Sequence, residues 1–240
     1  RVVGRPGGPA RRVRGRMTTP YYEDDLVTLY HGDCREVDAW LSADVLVTDP
    51  PYGRSWRQRP LHGTDGHAPI VGDQDTSARD WALDQWGRDR LALVFGDLML
   101  PPPPGTRQVL VYRKAPGSGA RGAMGGWRRD LEAVYLLGRW SLGLGGDSSL
   151  LRTGARVQSG GEGVVARSGH PHAKPVDVMQ VLLGHCPPGA VADPFAGSGS
   201  TLVAAKLEGR RAVGVEVDER YCEAAARRLA QGVLGMEATG

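Results

Sequence analysis

VADPFAGSGSTLVAA, residues 191–205, decides the fold. Ala190–Asp193 reads as an apolar strand, Phe195–Ser200 as a glycine-rich turn and Thr201–Leu207 as a helix. Glycines 197 and 199 let the backbone approach a ligand closely, and the helix start presents unpaired N–H groups. Ala212–Val217 reads as the next strand and Glu219–Ala230 as the next helix. Glu216 ends that strand 19 residues after Gly197, where an acid accepts both ribose hydroxyls of a bound nucleoside. Leu202 occupies the place of the third glycine of the dinucleotide fingerprint. That disfavours NAD and leaves room for a nucleoside without a pyrophosphate. Taken alone, the turn also admits a purely structural reading.

Upstream, the same alternation recurs. Leu26–Tyr30 reads as a strand, Arg35–Leu41 as a short helix, and Asp44–Thr48 as an apolar strand running into Asp49-Pro50-Pro51-Tyr52. A helix capped by Thr76 or Ser77 is expected to reach about Asp89. Leu91–Phe95, Gln108–Tyr112 and Leu131–Leu137 read as further strands, and residues 141–169 are rich in Gly, Ser and Arg with little regular pattern. Strands alternating with helices across short turns imply an α/β fold, a mostly parallel sheet covered by helices on both faces.

The tetrad Asp49-Pro50-Pro51-Tyr52 lies at the carboxyl end of a strand, where such proteins build their sites. The lone pair of an exocyclic amino group on a base is delocalised into the ring and is a poor nucleophile. Acceptors for its two hydrogens favour a pyramidal nitrogen. Asp49 supplies a carboxylate, Pro50 a backbone carbonyl and Tyr52 a stacking face, while Pro51 stiffens the turn. A base in a duplex cannot reach such a site, so it must be flipped out, at a cost that stacking helps recover. A Pro-rich turn capped by Asp is the alternative reading of the tetrad by itself.

Together these two motifs resemble the amino-methylating DNA methyltransferases, over most of Met17–Arg228. In that family D-P-P-Y is catalytic and D-P-F-x-G-S-G holds the cofactor. Here the catalytic motif comes first, as in the permuted β-class order, whose sheet is completed by both chain ends. The resemblance implies a Rossmann-like S-adenosylmethionine-dependent methyltransferase fold. LYHGDCREV (29–37) looks like the family segment whose Asp, here Asp33, reaches the cofactor's adenine. HPHAKPVDVMQVLL (170–183) looks like the family's H-P-x-x-K-P segment beside the methionine end, with Lys174 and Pro175 as candidates and a basic residue pairing with the carboxylate. His170 and His172 receive no catalytic role. Carried over residue by residue, Asp193, Phe195, Gly197, Ser198, Gly199 and Thr201 surround S-adenosylmethionine, with Glu216 on its ribose. Asp49, Pro50, Pro51 and Tyr52 hold the target nitrogen. Asp at the first tetrad position favours N6 of adenine, because cytosine-N4 enzymes of the family more often carry Ser there. RNA and protein glutamine enzymes more typically begin with Asn. A non-catalytic DNA-binding accessory protein is the remaining alternative.

Charge points the same way, through its distribution. The 240-residue chain has a formal net charge of +3, yet residues 1–16 hold six of its 30 basic residues and no acid, leaving 24 against 27 acids beyond them. From Pro101 to Lys174 there are eleven Arg or Lys and four acids. That is the local footprint of phosphate binding, with a solvated basic face as the alternative. Double-stranded DNA is the expected partner.

The resemblance puts target recognition within 140–169, where Arg152, Arg156 and Arg167 are the cations, while Arg113, Lys114, Arg121, Arg128 and Arg129 upstream add phosphate contacts. Thirty Gly-rich residues are few for reading bases. Either specificity is short and relaxed, or a partner subunit assists, a second copy of the chain included. The loop 53–72, with Arg54, Trp56, Arg57 and Arg59, is expected either to close as a flap over the site or to be a plain surface loop.

The expected organisation is a disordered basic extension (1–16), a catalytic half (17–139), a recognition insertion (140–169), a cofactor half (170–232) and a tail (233–240). The extension is read as lying upstream of a natural start at Met17, or as a basic arm on DNA. Cys34, Cys186 and Cys222 are too scattered for a disulfide framework or a metal site, and no apolar run reaches the 18 residues of a membrane span. No metal is expected, and the chain reads as cytosolic.

Overall fold

The computed structural model describes residues 19–55, 71–115, 124–141, 146–152 and 173–234. Nine strands form one sheet: β1 (Tyr22–Glu23), β2 (Val27–His31), β3 (Val45–Thr48), β4 (Ala92–Gly96), β5 (Thr106–Arg113), β6 (Leu131–Leu137), β7 (Leu150–Arg152), β8 (Val191–Asp193) and β9 (Ala212–Glu216). Their order is β1-β2-β9-β8-β3-β4-β6-β5-β7. The run β2-β9-β8-β3-β4 is parallel throughout, and β5 pairs β7 in parallel. β1 against β2 and β6 against both β4 and β5 are antiparallel. The mostly parallel Rossmann-like sheet expected from the sequence is therefore present. β2 from one end of the chain pairs with β9 from the other, Val27 opposite Ala212 and His31 opposite Glu216, so both ends complete the sheet.

The central strands are apolar up to their carboxyl ends because both faces are covered. In β3, Val45 and Val47 join one buried cluster and Leu46 the other; in β4, Leu93 and Phe95 alternate with Ala92 and Val94 in the same way. The first face carries α2 (Val176–Gly184), α3 (Ser200–Leu207) and α4 (Glu219–Leu234), with α3 packed against both neighbours. The second face carries α1 (Ser77–Trp86) and a short 3-10 turn (Ala39–Ser42). There Trp40 and Trp86 stack with centroids 6.1 Å apart, and the Arg90 guanidinium lies 3.4 Å over the Trp86 ring. Lys206 of α3 fastens the β1–β2 edge, donating to Asp24 Oδ2 (2.5 Å) and to the Leu229 carbonyl of α4 (3.0 Å).

Three expectations shift. Arg35–Leu41 is not a helix: the amides of Glu36 and Val37 turn back onto the Asp33 carbonyl, and Arg35 N–H onto the Asp33 carboxylate, a local turn that competes with helix formation. The helix begun at Ser77 stops at Trp86 rather than Asp89, because Gly87 adopts φ +97°. α2 and β7 were not foreseen as elements. Residues 1–18, 56–70 and 153–172 lie outside the described residues, and with them the extension and most of the flap and the insertion.

Candidate functional site

Every motif singled out above ends at the carboxyl edge of the sheet, and the reason is topological. β8 delivers Asp193, β3 delivers Asp49, and the two strands are hydrogen-bonded neighbours. Thr48, the last residue of β3, donates its hydroxyl to Asp193 Oδ1 at 2.6 Å. The tetrad and the glycine turn thus share one cleft edge.

Beyond Asp193, Ala196 N–H donates to the Val215 carbonyl (2.9 Å) and Gly199 N–H to the Ala196 carbonyl (2.8 Å), which folds the turn back over β9. Gly199 sits at φ +80° as the cap of α3, and a Cβ there would lie 2.8 Å from Ala225 Cβ of α4, so only glycine fits. Glu216 is buried and ends β9; its Oε2 accepts from Gly197 N–H (2.7 Å) and its Oε1 from Asp218 N–H (2.8 Å). Burial raises the Glu216 carboxyl above its ordinary value. Arg228, from α4, clamps the turn by donating to the Ser198 carbonyl (2.6 Å) and to the hydroxyls of Ser198 and Ser200 (3.1 and 3.2 Å). Asp193 is almost fully buried, accepts further bonds from Thr201 and from Phe195 N–H (3.1 Å), and is pushed by burial up to about 7.

In the tetrad, Tyr52 Oη donates to Asp49 Oδ1 at 2.7 Å and Lys174 Nζ to Asp49 Oδ2 at 2.5 Å. Lys174, 7% exposed, also stands 3.4 Å from Glu132 Oε2, and Lys114 pairs with Glu132 Oε1 at 2.7 Å. Burial raises Asp49 above the usual carboxylate range, and the Lys174 charge offsets only part of this. For Glu132 the same burial is outweighed by Lys174 and Lys114, which hold it below its ordinary value. The chain leaving the tetrad is pinned by Asp73 Oδ1, which accepts from Gly53 N–H (2.8 Å) and Arg54 N–H (3.2 Å).

Some residues stand where the sequence reading did not put them. Lys174, expected beside a cofactor carboxylate, instead pairs with Asp49 of the tetrad, because burial on this wall demands a counter-charge. Tyr52, expected to offer its ring to a base, points its hydroxyl at Asp49 and packs against the main core cluster. Asp33 lies two residues past His31, which is paired with Glu216, and its carboxylate is bound by Arg35 at 2.5–3.0 Å. Pro175 caps α2.

Arg128 and Arg129 are exposed just ahead of β6, and Arg152 is exposed at the end of β7 opposite Arg113. Because β6 runs antiparallel to β4 while β5 and β7 run with it, all four arginines lie at the same edge as Asp49. Arg156, Arg167, Arg121, Trp56, Arg57, Arg59, His170 and His172 lie outside the described residues. The sequence reading missed Glu132, Thr48 and Arg228, and it gave Lys114 to phosphate where the structure pairs it with Glu132. Of these, only Thr48 carried a signal, as the single polar side chain in an apolar strand. Among the described residues no cluster of metal-ligating side chains occurs, and no helix is long and apolar enough to cross a membrane.

Residues 108–227 match the N6/N4 family model, described as DNA methylase. A candidate methylase of Escherichia coli (strain K12), YubD, is 51% identical over 63 residues, 25% of this chain and 28% of that protein. The type II methyltransferase M.ScaI of Streptomyces caespitosus is 40% identical over 67 residues, 27% of this chain and 22% of that protein. The matches thus span about a quarter of the length of these curated relatives. Among solved structures, the M1.HpyAVI–SAM complex superposes with a TM-score of 0.62 at 19% identity, covering 85% of this chain and 99% of that one. The cytosine-N4-specific PvuII DNA methyltransferase gives 0.62 at 16% identity, covering 88% and 89%. At these identities the likeness is one of fold.

Proposed function

The chain belongs to the N6/N4 DNA methylase family, and from that premise we propose that it transfers a methyl group from S-adenosylmethionine to the N6 amino group of adenine in double-stranded DNA, by base flipping. The observation that carries this reading is the bond between Thr48 and Asp193, which sets the Asp49 turn and the Gly197 turn on neighbouring strand ends.

The residues at the turn fit the cofactor. Glu216 presents a buried carboxylate beside Gly197 N–H, glycine at 199 lets the turn pack directly on Ala225 of α4, and the first amides of α3 have no partner within the helix. Glu216 would take the ribose hydroxyls, with Asp33 at the adjoining end of β2 on the adenine side. Phe195, Ser198 and Thr201 would line the turn, with Asp193 beneath it. When bound, S-adenosylmethionine supplies an electrophilic methyl on sulfur. Asp49 and the Pro50 carbonyl accept the hydrogens of the target nitrogen and orient its lone pair, and Tyr52 fixes the carboxylate through Oδ1. The nitrogen would bond to that methyl as the methyl–sulfur bond breaks with its electron pair left on sulfur, and it would then give up one proton to the Asp49 carboxylate or to water.

Arg113, Arg128, Arg129 and Arg152 line the edge a duplex would approach, and they supply the cations that phosphate contacts need. The recognition insertion, 140–169, completes that face in this reading, and the protein acts on DNA in the cytoplasm. Cytosine-N4 is the second reading, since the tetrad geometry serves either amino group.

Incubation with labelled S-adenosylmethionine and unmethylated genomic DNA, followed by digestion to nucleosides, tests this. Label in N6-methyladenine is expected. Label in N4-methylcytosine replaces the base assignment, and bound cofactor without transfer overturns the enzymatic reading in favour of a DNA-binding accessory protein or a different substrate.

A further inference from the structure

Two carboxylates and two ammonium groups meet beneath the tetrad. Lys114 Nζ holds Glu132 Oε1 at 2.7 Å, Lys174 Nζ holds Asp49 Oδ2 at 2.5 Å, and Lys174 Nζ stands 3.4 Å from Glu132 Oε2. Among the described residues, Glu132 Oε2 is the buried side-chain oxygen that lacks a hydrogen-bond partner. Leaving such an acceptor open is costly, so an arrangement that gives it a donor competes closely with the one observed. The donor within reach is Lys174, whose ammonium ends a flexible four-carbon stem. With two charges of each sign in the set, the ammonium can pass between carboxylates without stranding a net charge in the interior. The rings of Phe95 and Tyr52, 5.0 and 5.6 Å from Lys174 Nζ, wall the ammonium in.

Each Asp49 oxygen already holds one donor and keeps a second lone pair, but the Lys174 ammonium draws on the charge of Oδ2 that the incoming amino hydrogen of the reaction proposed above needs. Resting on that reading, we propose that Glu132 is a positioning residue: it is the second seat of the Lys174 ammonium, which moves from Asp49 Oδ2 to Glu132 Oε2 as the target amino group settles on Asp49. One N–H···O bond breaks and another forms, and no proton changes owner. Lys114 keeps the receiving carboxylate fixed through its other oxygen. Glu132 touches neither substrate nor cofactor in this scheme and acts only through Lys174.

A double-mutant cycle of Glu132→Gln and Lys174→Met in the full chain tests this, with turnover on unmethylated genomic DNA and S-adenosylmethionine affinity by calorimetry as readouts. Glu132→Gln is expected to lower kcat about tenfold or more with cofactor Kd unchanged, because the ammonium then stays on Asp49. In the Lys174→Met background the same change is expected to lower kcat no further, since its effect runs through the missing ammonium. Wild-type kcat in Glu132→Gln, or effects that multiply in the double variant, overturns the role of Glu132 while leaving the function intact. Absence of transfer by the unaltered protein overturns both. Thermal unfolding confirms folding of each variant. Should Gln not support the fold, Glu132→Asp, which keeps the charge but withdraws it from Lys174, carries the same expectation of lowered kcat at constant cofactor affinity.

Discussion

The Thr48 hydroxyl donates to Asp193 Oδ1 at 2.6 Å across 145 positions of sequence. This one bond ties the end of the strand that carries the tetrad to the end of the strand that carries the glycine turn. Burial also pushes the Asp193 carboxyl up to about 7. A carboxyl whose folded value lies above its unfolded one stabilises the fold fully below the unfolded value, near 3.8, and loses that contribution as pH rises through about 7. The midpoint of thermal unfolding of the cofactor-free protein should therefore fall between about pH 4 and 7 and level off above, and Asp193→Asn should flatten that fall. The difference is at most about 4 kcal/mol. Parallel pH curves for the two proteins would show that Asp193 is ionised throughout.

Asp49 and Glu216 are expected to fail in different ways. Asp49→Ala removes the acceptor of the target nitrogen while leaving β9 and the turn untouched, so cofactor binding should persist while kcat drops by roughly 10²–10³-fold. Glu216→Gln keeps the shape but loses the charge that would face the ribose; cofactor Kd should rise roughly 10–100-fold, the equivalent of a charge-assisted bond. Calorimetry on both variants separates them. An equal loss of cofactor affinity in each would contradict the division of labour.

The sequence exposes what burial on two faces imposes and hides what pairing across the sheet imposes. Val45–Thr48 and Ala92–Gly96 are apolar runs because helices cover both sides, so their strands were legible, and Leu131–Leu137 has the bounds expected of it. α2 is absent from the sequence reading although Val178, Met179, Leu182 and Leu183 recur at helical spacing; its β-branched valines lower the helix preference that would have marked it. The Asp33 turn fooled the reading in the other direction, since its hydrogen bonds are local and leave no periodic trace. Glu132 could not be found from sequence: it is one acid inside a strand, and its meaning depends on Lys174 and Lys114 being brought to it from other parts of the chain. The same holds for Arg228, whose target is a turn 30 residues away.

The acid limb of kcat should lie above the ordinary carboxylate range. Asp49 must be ionised to accept the amino hydrogens, burial raises its value, and activity is lost as pH falls through that raised value. Lys174 is the largest influence lowering it, so Lys174→Met should move the limb to still higher pH, beyond any loss of amplitude. A limb that stays in place in this variant would mean that another group sets it.

Arg128, Arg129 and Arg152 share one edge of the sheet but should report different things. Arg128 and Arg129 sit ahead of β6, close to the carboxyl end of β4, where phosphates of an approaching duplex would pass. Replacing either with Ala should weaken binding to all duplexes alike and reduce the slope of log K against log salt by about 1. Arg152 ends β7, at the outer edge of the sheet and within the proposed recognition insertion. Its replacement should redistribute which sites are methylated, at a cost of about 1–3 kcal/mol for the bases it reads. Salt titrations by fluorescence anisotropy, together with sequencing of methylated sites in genomic DNA, distinguish the two. Variants of both kinds that change only the salt slope would remove Arg152 from the base-reading surface and place recognition elsewhere on the chain.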